Sequence, residues 1–128
     1  MRTQFDHEKL DVYRMLLGFV SWTSVLLDEL MTENRAQTRE VRDQLQRANL
    51  SALLNTAEGN GKRRQRIRAR FFDEARGSAA ESAACLDALT VMGCCQAARV
   101  EEGKGMLLRA VSMLTKLVER FDEETVSK

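Results

Sequence analysis

Apolar residues return three and four positions apart through four separate stretches of this chain, and no proline interrupts any of them. That spacing is the α-helical period, so one face of each stretch has to be buried against another helix. From Asp6, a candidate N-cap, the first stripe runs through Leu10, Leu17, Val20, Leu27 and Met31, and Leu16, Phe19, Leu26 and Leu30 widen it. The polar run 32–38 breaks the pattern, and Thr38 is a candidate cap for a second helix carrying Val41, Leu45, Ala48 and Ala52. Gly59 and Gly61 flank Asn60, which predicts a helix end and a tight turn with glycine at positive φ. A third stripe follows at Ile67, Phe71, Ala75, Ser78, Ser82, Cys85, Leu89 and Met92, stopping near Gly93. The fourth is clearest over Leu107, Ala110, Val111, Leu114, Leu117, Val118 and Phe121, while Gly103 and Gly105 weaken its first turns by about 1 kcal/mol each.

Helices are therefore expected at about 6–31, 38–58, 63–92 and 97–122. Short links between long helices force neighbours to run antiparallel. The expected fold class is all-α, an antiparallel up-down-up-down four-helix bundle, with residues 1–128 forming one domain. A length of 128 residues suffices for a core without disulfides or metal. Aromatics are 5% of residues, so Leu, Ala, Val and Met must fill that core, a composition that suits helices better than strands.

Twenty basic against 19 acidic residues leave a formal charge of +1, so any electrostatic function must come from local segregation. The odd set Cys85, Cys94 and Cys95 is a poor disulfide framework and fits a reducing compartment. The first residues lack a signal-peptide pattern, and the longest unbroken apolar runs are too short for a bilayer. The expectation is a cytoplasmic protein with no membrane partner.

The densest local signal is Lys62, Arg63, Arg64, Arg66, Arg68 and Arg70, six cations in nine residues at the start of the third helix. Arg63, Arg66 and Arg70 would share one helical face, with Arg64 and Arg68 on the adjacent strip. A helix N-terminus favours anions, so stability alone would place Asp or Glu there. The two readings are a phosphate-binding patch and a solvated charged face neutralised by Glu58, Asp73 or Glu74. Glu58 ends a helix, where its charge calls for a cationic partner such as Lys62 or Arg63, and with Asn55 it reads as a hairpin lock. The small residues from Ala75 through Gly77 and Ser78 to Ala84 imply a close helix contact, within the bundle or between subunits. His7 stands alone as histidine and reads as a surface residue. The three cysteines make a weak ligand set, and no carboxylate pair, phosphate loop or nucleophile elbow is present. No catalytic residue, metal site or cofactor is expected.

The stretch Leu45-Gln46-Arg47-Ala48-Asn49-Leu50-Ser51, followed by Asn55-Thr56-Ala57-Glu58-Gly59-Asn60-Gly61-Lys62-Arg63, resembles the 23S rRNA-intervening sequence protein family. Phe71-Phe72 and then Ala75-Arg76-Gly77-Ser78-Ala79-Ala80-Glu81 look like the same family's third-helix motif in order and spacing. The resemblance is specific over residues 45–93 and rests on length and apolar pattern elsewhere. It marks Arg47, Asn55, Glu58, Gly59, Gly61, Gly77, Ser78 and Glu81 as structural motif positions. The family commonly carries a proline shortly after the motif serine, whereas Ser51-Ala52-Leu53-Leu54 has none, which implies a straighter helix. The resemblance implies a four-helix bundle assembled into a ring, a homopentamer in relatives. It also implies a likeness to the accessory proteins of diversity-generating retroelements, which bind nucleic acid and partner a reverse transcriptase.

The combined expectation is a non-enzymatic homo-oligomer that binds RNA or DNA weakly through its basic helix start. With few aromatics for base stacking, contacts would go to the phosphate backbone. The alternative is a protein-interaction scaffold with no nucleic-acid role, its arginines meeting an acidic partner surface.

Overall fold

The computed structural model describes residues 5–126, with side chains described for residues 5–122. A one-turn 3-10 helix, Asp6–Lys9, precedes α1 (Asp11–Glu33), α2 (Arg39–Gly61), α3 (Gln65–Val91) and α4 (Ala97–Val126), and no strand occurs among the described residues. Contacts that pair ascending with descending residue numbers fix the directions. Asp6 of the 3-10 helix meets Asn60 of α2 and Met31 of α1 meets Arg42 of α2, while between α2 and α3 Ser51 meets Ser78 and Gly59 lies against Phe72. Asp87 meets Lys104 and Arg76 meets Thr115 between α3 and α4, while Glu29 meets Arg99 between α1 and α4. Every neighbouring pair is antiparallel, giving the expected up-down-up-down bundle.

The core is one contiguous cluster fed by all four helices. Val12, Leu16, Phe19, Leu26 and Leu30 enter it from α1, Leu45 and Ala52 from α2, Phe72, Ala79 and Leu86 from α3, and Leu107, Leu114 and Phe121 from α4. Two stripes sit differently from the sequence expectation. In α1, Leu17 and Met31 are exposed and Val12 and Thr23 are buried instead, because the helix turns its other apolar flank inward. In α3 the expected Ala75, Ser82 and Leu89 are buried, but Ala69, Phe72, Ala79 and Leu86 complete the stripe in place of Ile67, Phe71, Ser78 and Cys85, so its centre is rotated slightly from the expected one. By length and mean hydropathy, 1.3 over its most apolar window, α1 also meets the requirements of a membrane-crossing helix. The run-based expectation missed this because polar residues interrupt the runs without lowering the average much. Within the bundle only part of that apolar content is buried, at Val12, Leu16, Phe19, Leu26 and Leu30, while Leu17, Val25 and Met31 stay exposed.

Several boundaries differ for identifiable reasons. Asp6 does not start α1: the 3-10 turn closes with Leu10 N–H on the His7 carbonyl, and Leu10 then takes an extended conformation that breaks the path. Thr38 is the N-cap residue of α2 as expected, but its hydroxyl makes no capping bond and donates instead to the Asn34 carbonyl at 2.7 Å. Gly59 and Gly61 do not turn the chain, since α2 runs through both and neither has positive φ. Gly93 alone among the described residues has positive φ, +75°. There Cys94 N–H bonds the Leu89 carbonyl and Gly93 N–H the Thr90 carbonyl, the Schellman pattern that ends α3.

Glycine serves α2 and α4 through close approach. A Cβ on Gly59 would lie 3.0–3.1 Å from Phe71 and Phe72 side-chain atoms. One on Gly103 would lie 2.5 Å from the Trp22 ring and 2.9 Å from Leu86. Gly103 therefore seats α4 against α1 and α3, and does not merely weaken its own helix.

Candidate functional site

The link between α2 and α3 is three residues long, Lys62, Arg63 and Arg64, so the basic run straddles a turn and a helix start. Arg63 is not helical, which removes it from the expected Arg63, Arg66 and Arg70 face. Arg66 and Arg70 do share the outward face of α3, together with Gly77, Glu81 and Ala84. Arg64 occupies the N-cap position in an extended conformation and supplies no side-chain cap, so the cations stay at the positive end of the helix dipole.

The six cations divide by their partners. Lys62 pairs with Glu58 at 3.2 Å and lies 5.2 Å over the Phe71 ring, which closes the turn as a hairpin lock. Arg68 is half-buried, with its guanidinium 4.3 Å over the Phe121 ring, a contact of about 1 kcal/mol in such a setting, and Nη2 donates to Asn60. Arg68 thus ties α3 to α4 and belongs to the packing, not to an exposed patch. Arg70 faces Glu74 at 3.8 Å with both side chains largely exposed, a pairing worth little. The side chains of Arg63, Arg64 and Arg66 are exposed and have no hydrogen bond or ion pair among the described residues. Three uncompensated guanidinium groups and the weakly paired Arg70 remain for an external anion.

The other motif positions are structural in their contacts. Asn55 donates to the Ser51 carbonyl at 2.9 Å and to its hydroxyl at 3.1 Å, and the Ser51 and Ser78 hydroxyls meet at 2.8 Å across the α2–α3 seam. Gly59 brings α2 onto the two phenylalanines. Gly61 and Gly77 have open space where a Cβ would stand, so close packing within the bundle does not account for Gly77. Arg47 and Glu81 are exposed.

Among the described residues no cluster of His, Cys, Asp and Glu is arranged to hold a metal ion. The three cysteines are free and half-buried. Burial pushes the Cys95 thiol above its usual range, Arg99 opposing the shift and Glu29 adding to it. Burial, then Glu81, does the same to Cys85. His7 is half-buried, with its ring 5.7 Å from Phe5 and 4.7 Å from Tyr13, and is not a plain surface residue.

A profile of the 23S rRNA-intervening sequence protein family matches residues 8–116. No curated protein matches the chain.

Proposed function

We propose that this chain, which belongs to the 23S rRNA-intervening sequence protein family, is a non-enzymatic cytoplasmic homo-oligomer that binds the phosphate backbone of RNA or DNA at the α2–α3 turn. The observation that carries the reading is the set of exposed, unpartnered guanidinium groups of Arg63, Arg64 and Arg66. Arginine offers a planar fork that matches phosphate oxygens, and placing three such forks at a helix start costs stability unless an anion visits. Contacts of this kind position a backbone and read no sequence.

Oligomerisation draws support from apolar surface that water would not select. Leu108 is 69% exposed at the rim of an α3–α4 groove whose walls include Ala80, Ala83 and Gly105. Leu50 and Leu54 stand out from α2. A large side chain beside a groove of small ones suits a repeating contact between copies, and each added copy would multiply the basic turn. The same leucines favour the second reading, a protein-interaction scaffold.

Salt dependence separates the two. The logarithm of affinity for a generic duplex should fall with the logarithm of salt by about 0.9 per phosphate neutralised. Replacing Arg63, Arg64 and Arg66 together by Gln should flatten that slope while helicity and mass stay unchanged, because none of the three touches the core. Absence of duplex and single-strand binding at low salt, or an unchanged slope in the triple variant, would assign the arginines to a protein partner instead.

A further inference from the structure

The α1–α2 turn, at the opposite end of α2 from the basic run, has a different cationic arrangement. Arg42 is half-buried there, and its guanidinium is held by three neutral acceptors. Nε donates to the Thr38 hydroxyl at 3.0 Å, Nη2 to the Arg35 carbonyl at 2.6 Å, and Nη1 to the Met31 sulfur at 2.9 Å. The Thr38 hydroxyl is itself fixed by donating to the Asn34 carbonyl. No carboxylate pairs with Arg42 among the described residues. A guanidinium partly withdrawn from water and bonded only to neutral groups keeps its full charge uncompensated.

That charge opens onto a concave site of about 610 Å³ lined by Met31, Arg35, Ala36, Arg39, Arg42 and Asp43. Arg35 and Arg39 are exposed at its rim and have no ion pair or side-chain hydrogen bond among the described residues. Asp43 is the one acidic residue of the lining, and it pairs with none of the three arginines. Glu40 lies on the other side of α2, about 160° round the helix from Arg42. The lining is thus three cations against one anion, with the innermost cation locked in place before any ligand arrives.

We infer that this recess is a phosphate-binding site, independent of the α2–α3 turn, in which Arg42 is the fixed anchor and Arg35 and Arg39 close over the remaining oxygens. Arg42 has donors left over after its three bonds, and a tetrahedral oxyanion presents acceptors to several forks at once. The 23 residues of α2 set the recess about 30 Å from Arg64, too far for one phosphate group to serve both. The occupant's shared chemistry is a phosphate group, whether free or in a nucleic-acid backbone.

The test uses the full-length chain labelled with nitrogen-15 and titrated at low ionic strength, in one arm with inorganic pyrophosphate and in the other with a short mixed-sequence single-stranded oligonucleotide. Pyrophosphate should shift the amides of residues 31–43. The double substitution R35Q/R39Q should weaken that binding by about tenfold or more, as expected for losing charge-assisted hydrogen bonds, and R63Q/R64Q/R66Q should leave it unchanged. Both double-variant positions are exposed, and a circular dichroism melt matching the wild type confirms that the fold is kept. If the oligonucleotide shifts the same amides, the backbone is the occupant; if pyrophosphate alone does so, a small free phosphate compound is. Pyrophosphate shifts that avoid residues 31–43, no shifts at all, or equal affinity in R35Q/R39Q would overturn the site. Failure of the α2–α3 reading would show separately, in the R63Q/R64Q/R66Q salt slope.

Discussion

Glycine at position 103 and glycine at position 77 look alike in the sequence, both inside helices, yet their surroundings set opposite expectations. Gly103 faces the Trp22 ring and Leu86 so closely that Ala must push a large ring aside, whereas Gly77 is open to solvent in the isolated chain. Gly103→Ala should lower stability by about 1–3 kcal/mol through overpacking. Gly77→Ala should raise it by about 0.5–1 kcal/mol through helix propensity. Thermal melts of the two variants check the contrast, and a stabilised Gly103→Ala would show that α4 does not rest on that ring. A second expectation at this scale concerns Cys95, whose thiol burial holds above its usual range. The raised value favours the neutral thiol, so its contribution to stability is complete below the unfolded thiol's titration and is lost as pH climbs through the folded value. Iodoacetamide should therefore modify Cys95 with a pH midpoint above that of an unstructured cysteine. A midpoint below it would mean that Arg99 outweighs burial.

The helix ends show where local chemistry decides and where packing overrides it. The α3 terminus is set by Gly93 in the left-handed region with its two Schellman bonds, so Gly93→Ala should cost about 1–2 kcal/mol. Gly61 ends α2 with helical geometry and free space around it, so Gly61→Ala should be neutral or slightly stabilising. Equal losses at the two positions, read from urea midpoints, would return Gly61 to the turn role that its neighbours in sequence suggest. The physical difference is that α2 continues past Gly59 because Phe71 and Phe72 of α3 hold it there. The turn is then closed by Lys62 on Glu58 and by the extended backbone at Lys62 and Arg64.

For the molecule as a whole, a single core shared by four helices predicts one cooperative melt of a dominantly helical spectrum. The exposed Leu108 beside its small-residue groove, with Leu50 and Leu54 on α2, predicts self-association on top of that fold. Light scattering at micromolar concentration should return a multiple of 14.5 kDa, five copies being the number implied by the family resemblance. Leu108→Glu should reduce that mass and leave helicity intact. A monomeric wild type would remove both the assembly and the multiplication of the basic turn.

Helix number, order and approximate span were readable from the sequence, because apolar period and short polar links are local properties that carry the main driving force for burial. The end of α3 near Gly93 follows from the same local logic, whereas the start of α4 at Ala97 has no clear cap signal in the sequence and is set in the structure. Facing was readable for α2 and α4, whose expected Leu45, Ala48, Ala52, Leu107, Ala110, Leu114, Val118 and Phe121 are buried. It was not fully readable for α1, which has apolar residues on more than half its circumference, so that only contact with its neighbours adds Val12 to Leu16 and Phe19 and leaves Leu17 and Met31 outside. The basic run was conspicuous as a string of like charges, but dividing it into Lys62 and Arg68, which hold the bundle, and Arg63, Arg64 and Arg66, which hold nothing, required neighbours distant in sequence. The second cationic recess went unread for the converse reason. Arg35, Arg39 and Arg42 are spaced among polar and acidic residues like any solvated helix start, and only the tertiary structure turns Arg42 inward onto Thr38 and the Met31 sulfur, leaving its charge without an anion.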